Sequence, residues 1–167
     1  MAIRRMDKSG GGIELKRDDY LRNISHHLGR MAHQVEVRNS ISLFDLNIAA
    51  EDFYRGVLNR VYGLNLVNLN AVQPNAKAID LVDKLERRAF QVTSDTSIGK
   101  IRETVRKFEE DGRQADYDSL TMLMLKKKKT YKELPSPSGY ALEVKDHLAL
   151  IEDIKNKCED VQSLKAI

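Results

Sequence analysis

Apolar residues recur at helical spacing early in the chain, alternate by two in its middle, and return to helical spacing at its end. Over residues 13–38, Leu15, Tyr20, Ile24, Leu28, Met31 and Val35 predict one long amphipathic helix. After a break at Asn39-Ser40 a second helix is expected over 42–62, with Leu43, Phe44, Ile48, Val57, Leu58 and Val61 as its core stripe and Gly63 closing it. Residues 64–70 alternate apolar side chains with asparagine, as a strand does, and Gln73-Pro74-Asn75 reads as a turn. Residues 78–82 are apolar but for Asp80. Residues 88–93 alternate by two, so Phe90 and Val92 share one face and Gln91 and Thr93 the other. A helix follows with Ile98, Ile101, Val105 and Phe108 on one stripe, then a nearly all-apolar strand over 120–125. Strand, helix, strand implies a right-handed crossover that lays 120–125 parallel to 89–93. Residues 134–139 form a Pro/Ser linker, and Val144, Leu148, Ile151, Ile154, Val161 and Leu164 predict a last amphipathic helix over 141–167.

Composition narrows this picture only a little. A chain of 167 residues with 32% charged residues suits one core domain: a loose tail over 1–12, a body over 13–134, and a linker and helix over 135–167. That last helix is expected to pack on the core or on a partner, or to open a further domain. A net charge of +3 neither demands nor excludes nucleic acid. The single Cys158 excludes an internal disulfide, no signal-peptide core or bilayer-length apolar run is present, and the expected location is cytoplasmic.

The candidate chemistry centres on Asp80. A carboxylate on an apolar strand needs a partner, because burying it alone is costly. Pairing of 78–82 with 88–93 across the 83–87 turn brings Asp80 close to Gln91, so Asp80, Gln91 and Thr93 are expected to floor a polar site. On the second helix Asn47, Glu51 and Tyr54 fall at i, i+4 and i+7 and form a polar edge, or else a solvated face. Ser94-Asp95-Thr96-Ser97 offers helix caps, and free N–H groups there favour an anion; capping alone explains the same residues. Lys126, Lys127, Lys128 and Lys129 are the densest positive patch, a solvated strand end or a phosphate contact. His26, His27 and His33 lie on the first helix without an acidic or cysteine ligand at metal-site spacing, and read as surface or satisfied histidines.

The order helix, three-stranded meander, helix, strand resembles the αβββαβ core of the PD-(D/E)XK nucleases, an α/β (α+β) fold with a mixed sheet. More closely, Asn47-Ile48-Ala49-Ala50-Glu51-Asp52-Phe53-Tyr54, Leu58-Asn59, Asn68-Leu69-Asn70, Ala78-Ile79-Asp80-Leu81 and Phe90-Gln91-Val92-Thr93-Ser94 resemble the SMEK domain, a bacterial group related to those nucleases. The resemblance spans about residues 20–154. It implies a metal-dependent nuclease in a bacterial defence or ATPase-linked system. Asp80 would be the metal-binding aspartate, Gln91 stands at the second acidic position, Thr93 at the lysine position, and Glu51 is the helical acid. Mg²⁺ or Mn²⁺ would be the cofactor, and the partners nucleic acid (DNA ahead of RNA), an ATPase or other defence subunit, or a second copy. Gln91 is neutral and Thr93 carries no charge, so Lys100 is the nearest substitute cation by sequence. The alternative is a catalytically silent module that binds nucleic acid or a partner protein.

Overall fold

The structure is a computed structural model that describes residues 9–72 and 78–167. Its elements run α1 (Ser9–Ser40), α2 (Asp45–Tyr62), β1 (Val67–Asn68), α3 (Leu69–Val72), β2 (Leu81–Asp83), β3 (Arg88–Thr93), α4 (Ile98–Glu110), a 3₁₀ turn (Arg113–Ala115), β4 (Ser119–Met124), β5 (Ala141–Asp146), α5 (His147–Lys157) and α6 (Val161–Lys165). The five strands form one mixed sheet in the order β1-β2-β3-β4-β5, with β1, β2 and β3 antiparallel and β3, β4 and β5 parallel. The α/β class, the meander and the parallel crossover through α4 are as the sequence implies.

The alternation on β3 decides which helices lie where. Phe90 and Val92 join Leu81, Leu123 and Leu125 under α1, α2, α5 and α6, in a core that includes Leu28, Val35, Tyr54, Leu58, Leu150 and Ile154. Ala89 turns to the other face, where Val82 and Leu120 meet Val105 and Phe108 of α4. Leu120 to Leu125 are buried throughout, as expected of a strand covered on both faces.

Four expectations need correction. Residues 141–146 are a strand, because Leu142 and Val144 alternate with Glu143 and Lys145 and pair in register with Leu120 and Met122. Val144 fits a helical stripe with Leu148 and Ile151 by spacing alone, but the helix begins only at His147, capped by Asp146. The segment beyond the linker is therefore part of the sheet. The second correction concerns residues 64–70. Only Val67–Asn68 is strand, since Leu69 starts a helical turn whose first amide donates to the Asp80 carbonyl. Third, Leu43, Phe44 and Ile48 do not serve as core of the second helix: they are 49%, 56% and 72% exposed. The tail, finally, is helical from Ser9 onward, and its earlier residues lie outside the described ones, as does the turn read at Gln73-Pro74-Asn75.

Parallel strands need a crossover of a dozen or more residues, usually helical. Between β4 and β5 it is residues 125–140, which contain neither helix nor strand and start with the lysine run. The run is thereby placed at the C-terminal ends of β3 and β4. Among the described residues no helix is long and apolar enough to cross a membrane.

Candidate functional site

The tight turn between β2 and β3 sets the register that builds the site. Asp83 Oδ1 accepts the Leu85 and Glu86 amides at 2.9 and 3.0 Å, and its Oδ2 accepts the Asn65 amide at 2.7 Å. This holds the 84–87 turn, with Leu81 opposite Phe90. The Asp80 amide donates to the Phe90 carbonyl at 2.9 Å, which extends the ladder by one residue and turns the Asp80 side chain toward Gln91. Asp80 Oδ2 then accepts from Gln91 Nε2 and from the Val92 amide, both at 2.7 Å.

Glu51 reaches the same point from α2 through two asparagines. Asn70 Nδ2 donates to Asp80 Oδ1 at 3.0 Å and to Glu51 Oε2 at 3.1 Å, so a single amide joins the two carboxylates. Asn68 Nδ2 adds a contact to Glu51 Oε2 at 3.3 Å, and its Oδ1 accepts the Asn70 amide at 3.0 Å. Of the expected members, Asp80, Gln91 and Glu51 are linked by hydrogen bonds and Thr93 is not among them; Asn68 and Asn70 join instead, residues that the alternation placed only on a strand. Their signal was the Asn-x-Asn spacing ten residues before Asp80.

Asp80 is only 6% exposed. Burial pushes its carboxyl up to about 6, with the Glu51 charge adding to the rise and the Val92 amide, Asn70 and Lys100 opposing it. It is an acid held by neutral donors, with Lys100 near enough for its field to be felt but within ion-pair distance of no carboxylate among the described residues.

The remaining predicted residues divide. Thr93 shares the Gln91 face of β3, but its Oγ1 accepts the Asp95 amide at 3.1 Å and serves the β3–α4 junction. Asp95 Oδ1 accepts the Ser97 amide at 2.8 Å, and Ser97 Oγ caps α4 at the Lys100 amide at 3.1 Å. Capping accounts for that junction. Ser94 touches the α2 wall of the site, accepting from Asn47 Nδ2 at 3.1 Å, one turn before Glu51. On its other side, Lys126, Lys127 and Lys129 line a groove with Ser94, Asp95 and Phe44. Lys128 is set apart: Asp146 Oδ2 accepts its amide at 2.8 Å, and its ammonium donates to the Val144 carbonyl at 3.0 Å. Tyr54 lies away from the polar edge; it is fully buried, its hydroxyl has no hydrogen-bond partner among the described residues, and burial raises it to about 12.

Among the described residues no group of three His, Cys, Asp or Glu gathers at a metal-binding distance. Among the described residues, the carboxylates joined through Asn70 are Asp80 and Glu51, with side-chain amides of Asn70 and Gln91 beside them; Asp52 reaches only Asn68, at 3.5 Å. Hard oxygens of this kind, one or two carboxylates completed by neutral donors and water, suit Mg²⁺ or Mn²⁺. A half-turn of the Gln91 or Asn70 amide exchanges its donor for an oxygen. Burial holds the Asp80 carboxyl above its ordinary range, and a cation bound beside it would offset that cost. The residues fit a divalent ion.

Comparison with known proteins gives one family match: the SMEK domain, over residues 23–159. No curated protein and no solved structure matches the chain.

Proposed function

The chain belongs to the SMEK domain family, and from that premise we propose that it is a divalent-metal-dependent nuclease hydrolysing phosphodiester bonds, with DNA ahead of RNA as substrate. The observation that carries this reading is the buried Asp80 carboxylate joined through Asn70 to Glu51. Asp80 and Glu51 would hold Mg²⁺ or Mn²⁺, with the Gln91 amide oxygen as a neutral third ligand. Bound there, the ion supplies Lewis acidity toward phosphate and lowers the pKa of its water. Asp80 must be charged to bind it, which favours pH above about 6. Lys100, half-buried in the first turn of α4, adds positive field on the Asp80 side and stands in for the cation that Thr93 does not provide. Lys126, Lys127 and Lys129 contact the nucleic-acid backbone next to the site. The setting is a bacterial defence-type system, in the cytoplasm, with an ATPase or other subunit or a second copy as partner.

A second reading is favoured by one specific feature. The Gln91 amide is committed to Asp80, and the Thr93 hydroxyl to the Asp95 amide. A chain in which those contacts persist binds nucleic acid without cutting it. One assay separates the two: cleavage of single- and double-stranded DNA and of RNA with Mg²⁺ or Mn²⁺, wild type beside Asp80→Asn. Metal-dependent cutting lost in the variant supports the nuclease. Salt-sensitive binding with no cutting by wild type supports the silent module.

A further inference from the structure

The lysine groove contains a residue that neither packing nor capping explains. Phe44 is the N-cap of α2, where Ser, Thr, Asp or Asn is favoured, and it makes no side-chain cap. It is also 56% exposed, so its ring is not serving the core. Instead it lines a groove of about 530 Å³ together with Lys126, Lys127 and Lys129. The far wall is Ser94, held by Asn47 Nδ2 at 3.1 Å, which places the groove beside the Glu51–Asp80 cluster. Glu36 and Asp95 bring two carboxylates into the same lining. Asp95 is occupied by the Ser97 amide, which keeps its carboxyl below the ordinary range.

An aromatic face and a set of ammonium groups in one groove match a particular ligand chemistry. Lysines take phosphates wherever a backbone passes, single- or double-stranded. A ring face is useful only to a base whose own face is free, and inside a duplex the neighbouring pairs cover it. Alternating charge and ring are therefore a single-strand device, in which a base stacks on the aromatic while adjacent phosphates meet the cations. Leu43, next to Phe44 in the chain, and Ile48, four residues on, are also exposed, at 49% and 72%.

We propose that the groove between Phe44 and Lys126, Lys127 and Lys129 selects single-stranded over duplex nucleic acid, by stacking a base on Phe44 while the flanking phosphates lie on the lysines. This rests on the nucleic-acid reading of the adjacent site and specifies its substrate class.

The test is fluorescence anisotropy with the full chain in EDTA, which removes cutting from the measurement. The probes are a labelled oligothymidine of about 15 nucleotides and a duplex of equal length. Single strand is expected to bind roughly tenfold or more tighter than duplex. Phe44→Ala should lose roughly 5- to 150-fold on the single strand, the span of one base–aromatic stack, with an unchanged salt slope. Phe44→Trp should keep the affinity, and the triple Lys126→Ala, Lys127→Ala, Lys129→Ala variant should flatten the salt slope by about 2–3. Exposure of Phe44 means the fold survives its removal, which circular dichroism checks. Duplex binding as tight as single strand, or Phe44→Ala without effect on it, overturns the inference; so does a Phe44→Ala variant that loses only self-association, which would make the corner a protein contact. Wild type that binds single strand by these rules yet never cuts leaves this inference standing and refutes the nuclease. Metal-dependent cutting that ignores Phe44 refutes this inference alone.

Discussion

Asp80→Asn is expected to stabilise the metal-free protein at neutral pH, which is the reverse of what loss of a structural carboxylate does. The magnitude follows from the site. The folded carboxyl titrates at about 6 against an ordinary 3.8, a gap worth about 3 kcal/mol at ~1.4 kcal/mol per pH unit. Folded Asp80 keeps its proton to higher pH than the unfolded chain does. Between pH ~4 and ~6 the folded state therefore binds more protons, and stability falls as pH rises. Above that window the whole penalty applies; below it the penalty vanishes. Asparagine preserves the shape and one acceptor oxygen for Gln91 Nε2 and the Val92 amide, so part of the hydrogen bonding survives. A net gain of about 1–3 kcal/mol remains, or roughly 2–4 °C in Tm per kcal/mol for a chain of this size. Urea denaturation of both proteins in EDTA at pH 7.5 and at pH 4.5 measures it, with the gain expected to shrink at the lower pH. A variant that is less stable at pH 7.5, or a gain that does not change with pH, would refute the description of Asp80 as an acid whose charge is costly to bury.

Tyr54→Phe removes a buried hydroxyl that has no partner among the described residues and should leave stability unchanged or raise it by about 1 kcal/mol; a loss above that in urea melts would mean the hydroxyl is bonded. Asp83→Ala frees three backbone amides around the β2–β3 turn and should cost about 3 kcal/mol. Those amides hold the Asp83 carboxyl below its ordinary range, so its contribution is present above pH ~4 and lost as pH falls; a variant with the wild-type acid profile would contradict this. Cleavage, or divalent-ion affinity, should rise with pH up to about 6 and then level as Asp80 loses its proton; a flat profile between pH 5 and 7 would exclude Asp80 as a ligand.

What was legible in the chain was local. Alternation on 88–93 and the lone Asp80 sufficed to pair two strands and bring Asp80 to Gln91, because a period of two and a short turn fix register. Val144 shows the limit. Its spacing to Leu148 and Ile151 fits a helix, and only the open edge of β4, which lies far away in sequence, makes 141–146 a strand. Asn70 shows another. Alternation reads it as strand, whereas its value comes from standing between carboxylates that a helix and a strand supply independently. Hydrophobicity alone assigns Phe44 to the core, whereas its exposure depends on where the α1–α2 corner sits.

Calorimetric titration of Mn²⁺ into the wild-type chain, and into Glu51→Gln and Asp80→Asn, tests the central claim without requiring any nucleic acid. The expected result is one ion per wild-type chain, with affinity reduced in each variant by at least the ~10–100-fold that loss of a supporting group costs. Wild type that takes up no Mn²⁺, or an Asp80→Asn chain that binds it equally well, would contradict the claim that α2 and the β2–β3 hairpin converge on a cation site.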